Sequence, residues 1–418
     1  MEGLGFARSR EYWIRFGWGV LIGFLAALGV LGFTFVMGQG LDALWPADTG
    51  AEPFSGSVWI VVILTVAGFI VGLIHHFVSA EDIDAVTGVV SGHINTRPIP
   101  GGLLVSLVSL IGGFSVGPEV PSGMLAGGLA QWISDRRKLS DETRKTNIIS
   151  SITSAYGGLF TSPFAATIIP FELPHQQSLV FYGNMVIAAA AAGVGFIVFF
   201  VAGGNQFAGL LRLLDLPRYS LLPWHVLLAV PLGILGALLA AFYGLSMGFF
   251  KRVVEPLNRR PIVRNTLVGF LLGLLGFALP LTLFYGADGL VTVTENAAEL
   301  GVVLLIVYVF AKILATSGAI SSGFIGGPIF PLFFVGGTAG AVVNLIFPQI
   351  PVAMAVGSMM AAVPAGIIPI PLALGVYALL IAGLPLTEGV PVLIAGLTSF
   401  TIVKGLIAKS HKVPPKIE

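Results

Sequence analysis

The longest uncharged stretch of this chain constrains its fold more than any other feature. No Asp, Glu, Lys or Arg occurs between Lys312 and Glu388, a run several times longer than the roughly 20 residues that cross a bilayer as one helix. Prolines divide this run, at Pro328, Pro331, Pro348, Pro351, Pro364, Pro369, Pro371 and Pro385. The stretch therefore predicts a membrane protein with short, broken helices, whose interruptions are buried in protein or line a cavity.

The composition agrees with a lipid-bilayer protein and excludes several other classes. The 418 residues are 56% hydrophobic and only 10% charged, against roughly 25% charged residues in soluble domains. A formal net charge of +1 leaves no large basic surface for nucleic acid. The absence of cysteine excludes disulfides, thiolate catalysis and cysteine metal sites. Since no phosphate-binding loop, nucleophile elbow or HExxH pattern occurs, we predict neither an enzyme nor a cofactor nor a metal.

Basic and acidic loops alternate along the chain and indicate its orientation. The apolar segment from Phe16 to Gly38 is longer than a signal-peptide core and is predicted to be a retained first helix. Further apolar segments follow at 58–78, 98–134, 146–172, 179–203, 221–250, 266–285, 302–315 and 390–407. The positive-inside rule places the basic loops and both termini of this plasma-membrane protein in the cytoplasm, with loops 39–56 and 286–300 outside.

A single acid interrupts the otherwise uncharged segment from Pro98 to Ser134. Glu119 lies in the sequence GFSVGPEVP, residues 113–121, where glycines and prolines indicate an interrupted helix. A charge at membrane depth costs about 3 kcal/mol on insertion scales, so such a residue is a functional candidate by default. Pro118 suits the first turn of a helix, where its missing N–H costs nothing, and it places Glu119 among the free amides of that helix start.

The same motif recurs in the second half of the chain. The sequence GFIGGPIFP at 323–331 shares the pattern GFxxGPxxP with residues 113–121, at an offset of 210 residues. A repeat at about half the chain length predicts a duplication. We divide the chain into a first membrane repeat (1–204), a linker (205–223) and a second, inverted membrane repeat (224–418).

The loops that follow the two motifs give their relative direction. The first copy runs toward a strongly basic loop at 135–145, whereas residues 339–366, after the second copy, contain no Lys or Arg. The two copies are therefore predicted to point in opposite directions. Inverted repeats of this kind bring two helix N-termini together near the membrane midplane, where their partial positive charges and free N–H groups suit an anion.

Two acids are candidates for gating or for proton transfer. Without a bound anion, Glu119 can fill the site with its own carboxylate, and when protonated or displaced it would admit an anion. Capping of a buried helix end explains Glu119 equally well on local features, but the matching Ile329 carries no acid, which favours the functional interpretation. Glu172, near the end of an apolar run, could serve a proton path toward the cytoplasm, although hydrogen bonding to nearby backbone is the favoured alternative.

The predicted anion-binding residues combine two hydroxyl side chains with the residues at the two helix starts. They are Ser79, Ser115, Gly117, Pro118, Gly326, Gly327, Ile329 and Phe330.

These motifs resemble those of the CLC family of chloride channels and proton-coupled anion exchangers. Gly117-Pro118-Glu119-Val120-Pro121 is similar to the family's G(K/R)EGP pattern around its gating glutamate, and Gly327-Pro328-Ile329-Phe330-Pro331 is similar to its GxFxP pattern. The resemblance implies an all-α integral membrane protein, with an inverted repeat of many short, tilted and discontinuous helices. It also implies a homodimer with a pore in each subunit. In the family, amides at the second helix start contact the anion, and here Pro328 has no N–H. The resemblance therefore implies either that the amides of Ile329 and Phe330 supply both contacts or that the site is altered. Ser79 is the best match to the family's serine.

The resemblance further implies transport of a small anion, chloride foremost, gated by Glu119 and coupled to protons in an exchanger. Leu173 stands where well-known exchangers have a second acid, and no tyrosine follows Tyr377 to match the family's C-terminal anion-coordinating tyrosine. Three alternatives therefore stay open: a passive anion channel, a carrier for fluoride or another halide, and a membrane scaffold of the same fold that has lost transport.

Overall fold

The computed structural model describes residues 9–45, 57–81, 88, 91–173, 179–203 and 213–410, which form fifteen α-helices and no β-strand. The first half contains α1 (Arg10–Leu44), α2 (Val58–Phe77), α3 (Ile99–Ile111), α4 (Glu119–Arg136), α5 (Asp141–Leu159), α6 (Pro163–Glu172) and α7 (Leu179–Gly203). The second half contains α8 (Pro223–Val254), α9 (Pro261–Ala278), α10 (Ala287–Glu295), α11 (Ala297–Ser321), α12 (Ile329–Ile346), α13 (Val352–Ala365), α14 (Pro371–Ile381) and α15 (Val390–Ser410).

The helices have the lengths expected of a multi-pass membrane protein with interrupted spans. Within the described residues, seven helices are long and apolar enough to cross a bilayer, and four apolar helices are shorter. The prolines of the uncharged run separate these pieces: Pro328 and Pro351 immediately precede α12 and α13, and Pro371 begins α14. Proline fits these places because a helix start needs no N–H from it. The prediction of broken helices is confirmed.

The two halves form an inverted repeat. Gly117 and Gly327, which precede α4 and α12, form an antiparallel backbone bridge, so the two motif copies run in opposite directions. In the first half α1 packs on α5 and α7, and in the second half α8 packs on the corresponding α13 and α15. The counterparts α2 and α9 pack directly on each other. Both motif copies therefore lie at the centre of the molecule, between the halves.

Many of the 55 glycines lie where two helices touch. A Cβ at Gly68 of α2 would overlap the Asn265 carbonyl of α9, and one at Gly336 of α12 would overlap the Met359 carbonyl of α13. Close approach of this kind is characteristic of helix pairs in membranes, where small residues let the backbones pack together. The glycine content therefore reflects tight helix crossings as well as the predicted breaks.

The prediction that residues 286–300 form a loop is wrong, because most of these residues are helical, while their position outside the cell stays a prediction. It contains α10 and the first residues of α11, separated by Asn296. Its acids are exposed, whereas Leu290 and Val293 are buried and α10 packs on α12. The acids dominated the composition of this segment, but Asp288 and Glu295 lie on the exposed side of the short amphipathic helix α10, and Glu299 lies in the first turn of α11.

Several span boundaries also differ from the prediction. The segment predicted at 266–285 stops being α-helical at Ala278, and residues 279–286 form a short turn and loop. The segment predicted at 302–315 extends to Ala297–Ser321, with a kink at Gly301. Proximity of charged residues to a helix end made these boundaries hard to place from hydropathy alone.

The predicted linker is described only in its second part, since residues 204–212 lie outside the described residues. Residues 213–222 contain no helix, and α8 begins at Pro223. The Leu214 N–H donates to the Ile381 carbonyl at 3.0 Å, and the Tyr219 hydroxyl donates to the Glu388 carbonyl at 2.6 Å. This segment is therefore fastened to the second half, while the division into domains stays a prediction.

Candidate anion site

The two motif copies meet residue by residue. The N–H of Gly117 donates to the carbonyl of Gly327 at 2.7 Å, and the N–H of Gly327 donates back at 2.8 Å. The rings of Phe114 and Phe324, both buried, stack with their centroids 4.0 Å apart. Both pairs join residues that are 210 positions apart in the chain, as expected where the symmetry axis that relates two repeats passes between them. The prediction that the two motifs face each other is confirmed.

The chain breaks at this point because its backbone adopts a conformation that suits glycine. Gly113 and Gly323, at the start of each motif, have φ angles of 85° and 92°. Residues with a Cβ rarely adopt such positive values, since the side chain crowds the following carbonyl. Each glycine ends the preceding helix and turns the chain, so that a new helix starts inside the protein with its amides exposed to the centre.

Glu119 places its carboxylate between the two helix starts. The side chain is 1% exposed, and its Oε1 accepts a hydrogen bond from the Ile329 N–H at 2.6 Å. Its Oε2 is buried without a hydrogen-bond partner. A Cβ at Gly117 or Gly327 would overlap this carboxylate, so both glycines leave it room. Free amides and partial positive charge at helix starts stabilise negative charge, and here the negative group is the protein's own.

The surroundings of Glu119 are otherwise almost free of formal charge. Among the described residues, the only buried Asp, Glu, Lys or Arg side chains are Glu119 and Lys312 of α11. The phenol of Tyr243, on α8, lies within electrostatic range of the Glu119 carboxylate. Sequence reasoning used Lys312 only to mark the end of a charged region and missed it as a buried group.

The two predicted hydroxyl ligands are in different places. Ser115 is buried in the motif, and its Oγ lies 2.8 Å from the Oγ1 of Thr316 on α11, so the two hydroxyls share a hydrogen bond. Ser79 is exposed beyond the end of α2, and its carbonyl packs on Gly101 of α3. No contact in the described structure joins the Ser79 hydroxyl to Glu119. Residues 82–87, which follow Ser79, lie outside the described residues.

Glu172 belongs to a different helix start. Its two carboxylate oxygens accept hydrogen bonds from the N–H groups of Leu372 at 2.6 Å and Ala373 at 2.8 Å, in the first turn of α14. The carboxylate thus caps this helix in the manner that its partial positive charge favours. This geometry agrees with backbone hydrogen bonding, the favoured alternative to a proton path.

Aromatic rings stack behind the second helix start. The Phe330 ring lies 5.1 Å from Phe160 and nearly parallel to it, and Phe160 stacks in turn on Tyr377 at 4.3 Å. The hydroxyls of Tyr377 and Thr161 are buried without a hydrogen-bond partner. The sequence gave no indication of this column, because its members come from α12, α14 and the connection after α5.

Comparison with known proteins identifies the family. The family model for the voltage gated chloride channel matches residues 61–404, well over half of the chain. The chain belongs to the CLC family. Putative ion-transport proteins YfeO from two Salmonella strains, schwarzengrund CVM19633 and paratyphi A ATCC 9150, are each 27% identical to this CLC protein over 347 residues. These alignments cover 81% of the chain and 82% of each relative.

Solved CLC structures share the fold of the whole chain. A CLC-type fluoride/proton antiporter has a TM-score of 0.76 at 19% identity, covering 94% of this chain and 95% of its own. A slow cyanobacterial Cl⁻/H⁺ antiporter also gives 0.76, at 18% identity and with 94% of both chains covered. A eukaryotic CLC transporter gives 0.72 at 17% identity, covering 95% of this chain and 73% of its own. Membership of the CLC family makes the chain a multi-pass membrane protein of anion transport and not an enzyme.

Proposed function

We propose that this CLC protein moves chloride across the membrane through a site between the starts of α4 and α12, gated by Glu119 and coupled to protons. The observation that carries the proposal is the 2.6 Å hydrogen bond from the Ile329 N–H to the Glu119 carboxylate. A buried amide at a helix start is a donor that an anion would use. Glu119 and a chloride ion would compete for it.

Competition for one donor makes the side chain a gate. With Glu119 ionised, its carboxylate supplies the negative charge that the helix starts favour, and the site is closed to other anions. When the carboxylate takes up a proton, its charge is lost, and the Ile329 N–H becomes available to chloride. Each exchange between carboxylate and chloride would then accompany the movement of a proton, which is the basis of an antiporter.

The remaining predicted ligands fit this site to different extents. Gly117, Pro118, Gly326 and Gly327 form the connection that holds the two helix starts together, and Phe330 provides the next amide of α12. Ser115 lies in the same motif, with its hydroxyl bonded to Thr316. We assign the anion contacts to the amides of Ile329 and Phe330, and we assign Ser79 and Glu172 no contact with the anion.

Orientation and assembly complete the proposal. We infer a plasma-membrane protein with both termini in the cytoplasm, from the basic residues of the loop at 135–145 and the basic C-terminal tail. We also propose a homodimer with one anion site in each subunit, as the family resemblance implies.

The decisive experiment measures anion and proton flux together. Purified protein in liposomes with a chloride gradient is followed by a chloride electrode and a pH electrode, at several pH values, and then with fluoride in place of chloride. An antiporter moves protons against their gradient in a fixed ratio to chloride, a channel moves chloride alone, and a fluoride carrier prefers fluoride. A scaffold would give no flux above empty vesicles, which would contradict the proposal.

The variant Glu119→Gln tests the gate itself. Glutamine keeps an oxygen for the Ile329 N–H but cannot ionise, so we expect proton movement to be lost while chloride flux stays or rises. Glu299→Gln, an exposed acid in the first turn of α11, is the matched control and should behave as the unmodified protein. Unchanged proton coupling in Glu119→Gln would refute the assignment.

A further inference from the structure

Lys312 lies completely buried in the middle of α11, with its ammonium group surrounded by backbone oxygens. The side chain is 0% exposed, and Nζ lies within hydrogen-bonding distance of the carbonyls of four consecutive residues, 281–284, at 3.4, 3.1, 2.8 and 2.8 Å. The Phe334 ring of α12 adds a cation–π contact at 5.0 Å. The hydrogen-bonding needs of the ammonium are therefore met.

The charge of Lys312 is nevertheless not balanced by a neighbouring acid. No described acidic side chain forms an ion pair with it, and Asp288, the acid that follows this loop at the start of α10, is exposed. Burial of an unpaired charge is expensive, and apolar side chains often replace buried charges without loss of stability. The hydrogen bonds to the four carbonyls anchor the loop, but the unpaired charge itself adds nothing to stability.

The oxygens that hold Lys312 belong to a loop attached to the anion site. Phe284, the last of the four residues, donates its N–H to the carbonyl of Gly113, the first residue of the Glu119 motif, at 2.9 Å. Phe284 also has a positive φ of 55°, a strained value for a residue with a side chain. One turn beyond Lys312 on α11, Thr316 holds Ser115 of the same motif. The helix α11 is thus joined to the Glu119 motif in two ways: through Lys312 and the 281–284 loop, and through Thr316 and Ser115.

The repeat shows that the lysine is not part of the duplicated scaffold. At the offset of 210 residues that pairs Glu119 with Ile329, Lys312 corresponds to Gly102 of α3. Among the described residues, each half therefore contributes one buried charge that its counterpart lacks: the first half a carboxylate, the second an ammonium. Loss of the Glu119 charge would leave Lys312 as the one buried formal charge in this part of the chain.

We infer that Lys312 is a positioning residue for the anion: it holds the 281–284 loop against the Glu119 motif, and its unpaired charge favours an anion at the two helix starts. This inference rests on the proposed function and deepens it. Lys312 does not touch the anion, because its ammonium faces the four carbonyls. Its charge therefore acts on the anion through space, where an effective dielectric constant of about 20 leaves a Coulomb attraction large enough to affect binding.

The experiment measures chloride affinity by titration calorimetry on purified, detergent-solubilised protein in the Glu119→Gln background, where a neutral amide replaces the carboxylate and competes less strongly with chloride. Adding Lys312→Met, which preserves length but removes the charge, should weaken chloride binding by about tenfold. Adding Lys312→Arg, which keeps the charge, should cost less than threefold. Equal affinity in the presence and absence of Lys312→Met, or equal losses with Met and Arg, would overturn the inference.

A chemical rescue covers the case in which the methionine variant does not fold. Lys312→Ala removes the atoms that propylammonium replaces, so propylammonium should restore chloride affinity to Glu119→Gln/Lys312→Ala, whereas propanol should not. Rescue by both compounds, or by neither, would count against a role of the charge. If Glu119→Gln alone binds no chloride and the unmodified protein passes none, the proposed function fails. If Glu119→Gln does bind chloride and the Lys312 variants bind it with the same affinity, only the inference about Lys312 fails.

Discussion

Glu172 offers a direct test of helix capping against proton transfer. Its carboxylate receives the Leu372 and Ala373 N–H groups, so Glu172→Ala removes two charge-assisted hydrogen bonds and the negative charge at the start of α14. Such bonds contribute about 1.5–3 kcal/mol each when fully buried. Because this carboxylate is only half-buried, we take about 1 kcal/mol for each, and the total is about 2 kcal/mol for alanine. Glu172→Gln keeps one acceptor and should cost about 1 kcal/mol.

Thermal unfolding of the purified protein in detergent measures this loss. A loss of 1 kcal/mol lowers the midpoint by about 2 °C in chains larger than 150 residues, so we expect decreases of about 4 °C for Glu172→Ala and about 2 °C for Glu172→Gln. Glu299→Gln, an exposed acid at the start of α11, is the control and should change the unfolding free energy by less than about 0.5 kcal/mol.

Flux in liposomes then separates the two roles. A cap leaves the ratio of protons to chloride unchanged in Glu172→Gln, since α14 still forms. The opposite pattern, an unchanged unfolding midpoint together with lost proton movement and intact chloride flux, would refute the capping account. That result would instead support the alternative that Glu172 takes part in proton transfer.

Two further predictions concern the site itself. In Gly327→Ala the new Cβ overlaps the Glu119 carboxylate, so we expect a loss of about 1–3 kcal/mol of stability and weaker proton coupling. Gly193→Ala, in a helix and with open space around it, should keep normal coupling and cause no loss of stability, because alanine favours a helix by about 1 kcal/mol over glycine. Normal coupling in Gly327→Ala would be evidence against the closed position of Glu119. Ser115→Ala and Thr316→Val should each lower the free energy of unfolding by about 1–3 kcal/mol, because each leaves a buried hydroxyl unpaired. The double variant should lose less than the sum of the two single losses. Additive losses, measured by thermal unfolding, would show that the two hydroxyls act independently.

The centre of the fold could be predicted because its signals are local. Glycine and proline at fixed spacing marked both helix starts, and the offset of 210 residues identified the pairs Gly117–Gly327 and Glu119–Ile329 that the structure joins. The charge of the loops gave the opposite directions of the two copies. Each of these signals can be read without knowing which helices touch.

Other features depend on contacts that a single sequence does not display. Glu172 caps a helix that begins about 200 residues later, so only the tertiary structure reveals its partner. The helix α10 was read as a loop because its exposed acids outweighed two buried side chains in the composition. Lys312 could have been noticed, since the offset of 210 places it opposite Gly102 and so marks a departure from the repeat.

The departures from symmetry are what allow the proposed site to work. Two equivalent helix starts supply equivalent donors, but neither start alone supplies a group that competes with an anion for them. Glu119 breaks the symmetry: the first half provides the carboxylate, while the second half provides the Ile329 N–H that holds it. Opening the proposed gate would therefore break the hydrogen bond between Glu119 and Ile329. The Ile329 N–H would then be free, in the same half of the chain that contains Lys312. In the mechanism that we propose, the duplicated scaffold provides the binding groups, and Glu119 and Lys312, the two buried charges among the described residues, would determine when these groups are free.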